Sequence, residues 1–309
     1  MNTLKAHGKL LLSAEYMVMH GAAALAVPLT RGQQLERIRS QNRKVFSWKA
    51  YYDEQPWFRA EIDPSNLRIL VSNDPEKAER LRELIAACIE MMPSFQQELF
   101  RWDVETRLDF STQWGFGSSS TLIALMAEWA EVNPLDLHFL VSEGSGYDVA
   151  CAIADGPIQY RLRDGSPHYR HVPFRPPFAD RLYFAWLGTK QPTSAHLKEV
   201  RLKPDFDTIH FFSELTRQMI QCGDAEIFGK LMDEHEKRLA RHLGMERVSA
   251  LRFNGLPGQV KSLGAWGGDF VMILSGTGEK ELIKYLNQED IHVIFRYNDL
   301  VYDRANLPH

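Results

Sequence analysis

The sequence predicts a mixed protein, α+β or α/β, on three observations. Segments of helical and of strand periodicity alternate along both halves of the chain. Apolar residues make up 44% of the 309, enough to bury a core and to exclude a disordered chain. A charged, proline-rich run, RDGSPHYRHVPFRPPFAD, follows residue 162, and its Pro173–Asp180 portion reads as a connection between two lobes. At this length one large domain or two ordinary ones are expected.

Taken in order, Lys9 to Val18 reads as a strand leading into a turn or short helix. Val45 to Ile62 is aromatic and β-rich around a Glu-Gln-Pro break, which predicts a hairpin. Its Trp48, Tyr51, Tyr52, Trp57 and Phe58 are best explained as cross-strand pairs, with a ligand pocket as the alternative. From Pro75 to Met92, Ala78, Leu81, Leu84, Ile85, Cys88 and Ile89 recur at helical spacing. Arg101 to Phe110 alternates and predicts a strand. Leu122 to Val132 is helical, and Tyr147 to Leu162 is apolar and ends in the strand-like IQYRL. Strands follow at 181–187, 270–274 and 292–297. Helix fills most of 207–244, in two pieces around Cys222-Gly-Asp224, and also 279–288.

A formal charge of −4 gives no reason to expect nucleic acid or an anionic membrane as partner. Three widely spaced cysteines, Cys88, Cys151 and Cys222, fit a reducing cytoplasm without disulfides or a zinc site. The first residues, MNTLKAHGKLLLSAEY, are too polar for a signal peptide. Glu15, His20 and Gly21 interrupt the apolar stretch from Leu10 to Leu29, so no membrane span is expected.

The chemistry concentrates in WGFGSSST, Trp114 to Thr121. A strand, then Gly-x-Gly, then a helix opening on hydroxyls, makes an anion site. Glycines let backbone N–H groups approach a ligand. The helix N-terminus adds unpaired N–H groups and partial positive charge. A hydroxyl there can also ligate Mg²⁺ or donate to phosphate. No lysine stands where a Walker loop needs one, and Ser120 occupies the third glycine position of a dinucleotide fingerprint. Alone, the stretch reads equally well as a tight turn with serine caps. Two further clusters, EGSGYDVA from Glu143 and GAWGGD from Gly264, point to a phosphate site assembled from distant segments. His7-Gly8-Lys9 and Glu15-Tyr16 add a cation and a carboxylate near a strand start.

These residues resemble the GHMP kinase superfamily, which includes galactokinase, homoserine kinase, mevalonate kinase and phosphomevalonate kinase. HGKLLLSAEYMVMHG is similar to its first motif and GFGSSST to its second. SGYDVACAIADGPIQYR is similar to the family's PSG-x-D segment, and KSLGAWGGDF, from Lys261, to its third motif. Four motifs in order, from residue 7 to about 275, cover nearly the whole chain. The resemblance implies an α+β fold with an N-terminal ATP-binding lobe like ribosomal protein S5 domain 2 (residues 1–176) and a ferredoxin-like C-terminal lobe (177–309). It implies ATP and Mg²⁺ as cofactors and a small-molecule phosphoryl acceptor. By the same analogy a homodimer would be unsurprising.

Carried over residue by residue, Gly115, Gly117, Ser118, Ser119 and Ser120 wrap the ATP phosphates, with Ser119 as the metal-side hydroxyl. Asp148 matches the general base or orienting carboxylate. Lys9 matches the lysine that lowers the acceptor's pKa. Gly264, Ala265, Gly267 and Gly268 match the supporting third-motif loop. Glu143 is the nearest acid for a second metal ligand, with a solvated turn residue as its plain reading.

The departures are His7 and Ala14 in the first motif, and Leu263, Trp266 and Phe270 in the third. Glu15-Tyr16 and Gly-Gly-Asp269 lean toward the phosphomevalonate branch, as does LGTKQPTSAHLKEV. In that run Lys190, His196, Lys198 and Arg201 are either charge for a phosphorylated acceptor or an ordinary basic helix start. His235 resembles a family Asn-His but reads more simply as a helix-face histidine. The expected activity is phosphoryl transfer to mevalonate or phosphomevalonate. The alternatives are a sugar kinase, diphosphomevalonate decarboxylase or a non-catalytic nucleotide-binding protein of this fold.

Overall fold

The computed structural model describes residues 3–188, 203–264 and 270–306. The chain divides into two compact units. Unit 1 comprises residues 1–8, 31–112 and 116–153, and unit 2 comprises 9–30, 113–115 and 154–309. Two strands run through the division: β1 (Leu4–Leu11) and the sixteen-residue β2 (Ala24–Arg39).

In unit 1 the expected hairpin forms as β3 (Phe46–Tyr52) and β4 (Gln55–Ile62), antiparallel, with Trp48 opposite Ala60 and Ala50 opposite Phe58. β5 (Ile69–Ser72) joins the far side of β4. β6 (Trp102–Leu108) lies parallel to β3 and antiparallel to the second half of β2. Helix α1 (Pro75–Met91) begins where Asp74 accepts the Lys77 N–H, ahead of a proline at the first helical position, both standard start signals. It packs against α2 (Ser118–Ala130) and α3 (Pro134–Val141). Between sheet and helices Trp129 meets Phe95 edge-on at 4.8 Å and Phe46 at 6.2 Å. α2 also packs on the short α4 (Tyr147–Ala152).

In unit 2 the first half of β2 pairs with β7 (Ile158–Arg163), and β7 with β8 (Ser166–His171). A separate antiparallel sheet has the order β10 (Gly258–Leu263), β11 (Phe270–Ser275), β9 (Leu182–Trp186), β12 (Ile294–Arg296). Every residue of β11 is buried. It is a central strand covered on both faces, hence its unbroken apolar text. One face carries Val260, Val271, Ile273, Leu282 and Leu286, the last two from α7 (Glu279–Gln288). The long helical stretch splits into α5 (Phe206–Gln221) and α6 (Ala225–Leu243). Asp205 and Asp224 cap them, accepting from Thr208 and Ile227.

Strands β2, β5, β8 and β10 go beyond the sequence reading, and β1 starts at Leu4, ahead of the strand read from Lys9. β8 is exposed along nearly its whole length, so it lacks the alternation that marks a half-buried strand.

Candidate active site

The glycine-serine stretch lies where helix and loop physics make an anion receptor. Gly115 and Gly117 both have left-handed backbones, at φ 68° and 90°, conformations in which a side chain is strained. Gly117 is the N-cap of α2, and no side chain caps that end. The helical ladder opens with the bond from the Thr121 N–H to the Gly117 carbonyl at 2.9 Å. The N–H groups of Ser118, Ser119 and Ser120 therefore precede the helical ladder. The three hydroxyls differ. Ser120 is buried and donates to the Gly117 carbonyl at 2.8 Å, so it shapes the loop. Ser119 is exposed and its hydroxyl has no partner among the described residues. Thr121, fully buried, donates to Gln33 Oε1 at 2.7 Å and fixes the first turn of the helix. Phe116, also buried, sits 5.7 Å from Phe110 and anchors the loop from below.

Asp148 begins α4, directly after the left-handed Gly146 (φ 80°). It is half-buried, and one carboxylate oxygen accepts the Val149 N–H at 3.0 Å. The other has no partner among the described residues. Glu143 is exposed. Among the described residues no group of three or more His, Cys, Asp or Glu is placed to hold a metal ion.

In unit 2, half-buried Lys9 on β1 donates through Nζ to the Gly115 carbonyl at 3.0 Å, which ties the first motif to the second. Gly115 follows Trp114, whose ring meets Phe295 of β12 edge-on at 5.4 Å. The third motif is a hairpin end. Leu263 of β10 pairs with Phe270 of β11, and Gly264 leaves the strand at φ 74°. Ala265, Trp266, Gly267, Gly268 and Asp269 lie outside the described residues, as do Lys190, His196, Lys198 and Arg201.

A buried polar cluster joins the first and third motifs within unit 2. Lys261 is fully buried and its ammonium contacts Glu15, itself 3% exposed. Lys261 also donates to the Ser262 carbonyl at 2.9 Å. His235 on α6 is fully buried. Its Nε2 faces the Ala14 N–H at 2.9 Å and Glu15 Oε2 at 3.1 Å. An amide can only donate, so Nε2 is the acceptor and the ring proton is assigned to Nδ1. Glu15 Oε2 and His235 Nδ1 are then left without hydrogen bonds. Burial, with Lys261 adding to it, pushes the His235 pKa down to about 4, so the ring is neutral at pH 7. Burial pulls the Glu15 carboxyl upward, but the Lys261 ammonium against it outweighs burial and holds the pKa low. Glu236 accepts the Ser262 N–H at 3.1 Å, and burial pushes its pKa up to about 7.

The cluster has a geometric consequence. Ala14 and Tyr16 both have positive φ, 60° and 64°, which is strained for non-glycine residues. His235 and Lys261 grip the chain between them. The helix-face reading of His235 missed this role. The available signal was that His235 and Glu236 fall on the α6 stripe that also carries Phe228, Met232 and Leu239, where a polar residue needs a buried partner.

No family model matches the chain, and no curated protein does. Solved structures match over nearly its full length. Phosphomevalonate kinase from Streptococcus pneumoniae, in complex with phosphomevalonate and AMPPNP, is similar at a TM-score of 0.73 and 18% identity, over 96% of this chain and 100% of that one. Mevalonate kinase from Methanococcus jannaschii gives 0.70 and 15%, over 95% and 96%. The chain has the GHMP kinase fold. Lactococcus lactis galactokinase, complexed with galactose, shares the GHMP fold at 0.61 and 11% identity, over 93% and 88%, so the likeness spans both the mevalonate and the sugar kinases.

Proposed function

We propose that this GHMP-fold chain is a small-molecule kinase that transfers the γ-phosphoryl group of ATP to a hydroxyl or phosphate of a small metabolite, mevalonate or phosphomevalonate first among them. The observation that carries the reading is the uncapped α2 N-terminus. Left-handed Gly117 presents three N–H groups at one helix end, together with the Ser119 hydroxyl, which has no partner among the described residues. That donor set suits a polyphosphate.

Phosphoryl transfer asks little covalent chemistry of a protein. It asks for positioning and for neutralisation of charge on the moving group. In this reading the α2 N-terminus holds the β- and γ-phosphates, and Lys9 keeps the role the family resemblance gives it, lowering the acceptor's pKa. Asp148, with one oxygen tied to its own helix and the other without a partner among the described residues, orients the acceptor and takes its proton. Mg²⁺, when bound, neutralises phosphate charge. Ser119 is the protein ligand we assign to it, with Glu143 as the second candidate. As part of the same proposal the enzyme works in the cytoplasm, in keeping with its three free cysteines.

A second reading, a nucleotide-binding protein without catalysis, is favoured by one observation. Buried Leu263 and Phe270 form an apolar pair at the base of the third-motif loop, where the family resemblance calls for a hydroxyl and a cysteine. The deciding experiment measures ADP release from MgATP with mevalonate, phosphomevalonate, diphosphomevalonate, galactose and homoserine, for wild type and Asp148→Asn. Turnover with one acceptor, lost in the variant while the MgATP-induced melting shift persists, supports the kinase and its base. A melting shift without turnover on any acceptor supports the second reading.

A further inference from the structure

Away from the motifs, unit 2 carries an excess of positive charge in a concave place. The β7–β8 register sets Gln159 opposite Arg170, Arg161 opposite His168 and Arg163 opposite Ser166. Opposed residues share a face and alternate residues share a face, so three arginines and a histidine project from one side of the hairpin. Ile158 and Tyr160, buried, occupy the other. Facing them, α5 presents His210, Ser213, Glu214 and Arg217, one stripe at helical spacing. Hairpin and helix line an open groove of about 420 Å³, within the size range of small-ligand sites.

The charges in this groove are unbalanced. Arg217 is paired with Glu214, whose carboxyl it holds down at about 2. The other three arginines have no carboxylate among the described residues. Arg161 donates to the Gly21 carbonyl at 2.7 Å, and Arg170 makes two bonds to Gln159 Oε1 at 3.1 and 2.9 Å. Exposed Arg163 has no partner among the described residues. Like charges side by side on a two-stranded ribbon repel one another, and this chain carries net negative charge overall. Arg161 and Arg170 are nevertheless held in place by neutral acceptors, with most of their N–H donors unspent. Preoriented, unneutralised guanidiniums are the recognition chemistry of phosphate. Positions 161 and 163 lie ~7 Å apart along the strand, and Arg170, level with Gln159, lies ~7 Å beyond Arg161 on the facing strand, so the three arginines are spread over a length that suits two phosphate groups better than one.

We infer that the groove between the β7–β8 hairpin and α5 is a binding site for a small soluble ligand carrying at least two phosphate groups. The site is separate from the glycine-serine loop and does not depend on the kinase reading. Inorganic pyrophosphate is the probe, titrated calorimetrically without divalent metal into wild type and into Arg163→Gln/Arg170→Gln. Both positions are exposed, so the double variant should melt within a degree or two of wild type. The expected result is binding at least tenfold weaker in the variant, with a shallower salt dependence. Pyrophosphate should bind equally well with AMPPNP saturating, and the variant should keep its full melting shift with MgATP. Equal pyrophosphate affinity in the two proteins overturns the inference. So does loss of pyrophosphate binding on AMPPNP saturation, which would place the anion at the glycine-serine loop. Binding of orthophosphate as tightly as pyrophosphate removes the two-phosphate claim. Binding to phosphoinositide vesicles without any response to pyrophosphate would replace the soluble ligand by a membrane. Failure of the kinase assay leaves all of these outcomes readable.

Discussion

Replacing Lys261 with methionine keeps most of the side-chain volume and deletes one charge of a fully buried pair. Glu15 is 3% exposed and Lys261 is fully buried, so water cannot substitute for the lost partner. At an effective dielectric of ~20, unit charges ~4 Å apart attract by about 4 kcal/mol. Removing one partner of a buried pair costs ~3–5 kcal/mol, because the other charge stays buried and unpaired. Lys261→Met should therefore lose about that much stability at pH 8, a fall of roughly 6–20 °C in Tm for a unit of ~150–250 residues. The loss should depend on pH in a stated direction. In wild type the Glu15 pKa is lowered, so its contribution is present above the unfolded value and is lost as pH falls through the folded one. Without Lys261 only the desolvation that raises this pKa is left unopposed by a cation. The variant's deficit should then shrink toward pH 5, as Glu15 takes up a proton. Glu15→Gln/Lys261→Met, with neither charge, should recover ~2 kcal/mol or more of the deficit, measured as a double-mutant cycle. The assay is urea denaturation at pH 8 and pH 5, followed by far-UV circular dichroism and tryptophan fluorescence, whose coincidence shows that one transition is read. A Lys261→Met protein within ~1 kcal/mol of wild type at pH 8, with additive single variants, would refute the reasoning.

Further tests address the neighbouring groups and the loops. Glu236 titrates near 7 against 4.5 unfolded, so its contribution falls as pH rises from 4.5 to 7; His235 titrates near 4 against 6.5, so its contribution rises with pH from 4 to 6.5. The two slopes, each up to ~1.4 kcal/mol per pH unit, oppose one another in wild type. Glu236→Gln should expose a stability that climbs from pH 4.5 to 6.5, and His235→Asn one that declines; identical pH profiles in all three proteins would contradict both assignments. Ser119→Ala should cut the MgATP-induced melting shift by ~1 kcal/mol or more with little change in the unliganded Tm, whereas Ser120→Ala, which removes the bond to Gly117, should lower the unliganded Tm. Gly117→Ala places a side chain at φ 90° and should cost ~1–2 kcal/mol and weaken nucleotide binding. Gly32→Ala drives a Cβ into the Ala6 backbone carbonyl and should cost ~1–3 kcal/mol or more, read as reduced soluble yield and Tm.

What the sequence by itself determined is local. WGFGSSST declared its turn through its glycines and its helix start through its hydroxyls, because backbone freedom and orphan N–H groups are properties of a few consecutive residues. Helix α1, the β3–β4 hairpin and the split between α5 and α6 were legible for the same reason, since periodicity and capping are read within a window. The order of four motifs also announced the fold that solved structures share. What only the tertiary structure decided concerns partners far apart in the chain. Lys261 and Glu15 are 246 residues apart, and Ala14 and His235 are 221 apart. Nothing local tells a buried lysine or a neutral histidine from a solvated one, because both depend on what distant segments remove from water. The strand register that lines up Arg161, Arg163 and Arg170 is likewise a property of pairing. The sequence reading assigned no element to β8, because a strand exposed along its length carries no apolar alternation by which to recognise it.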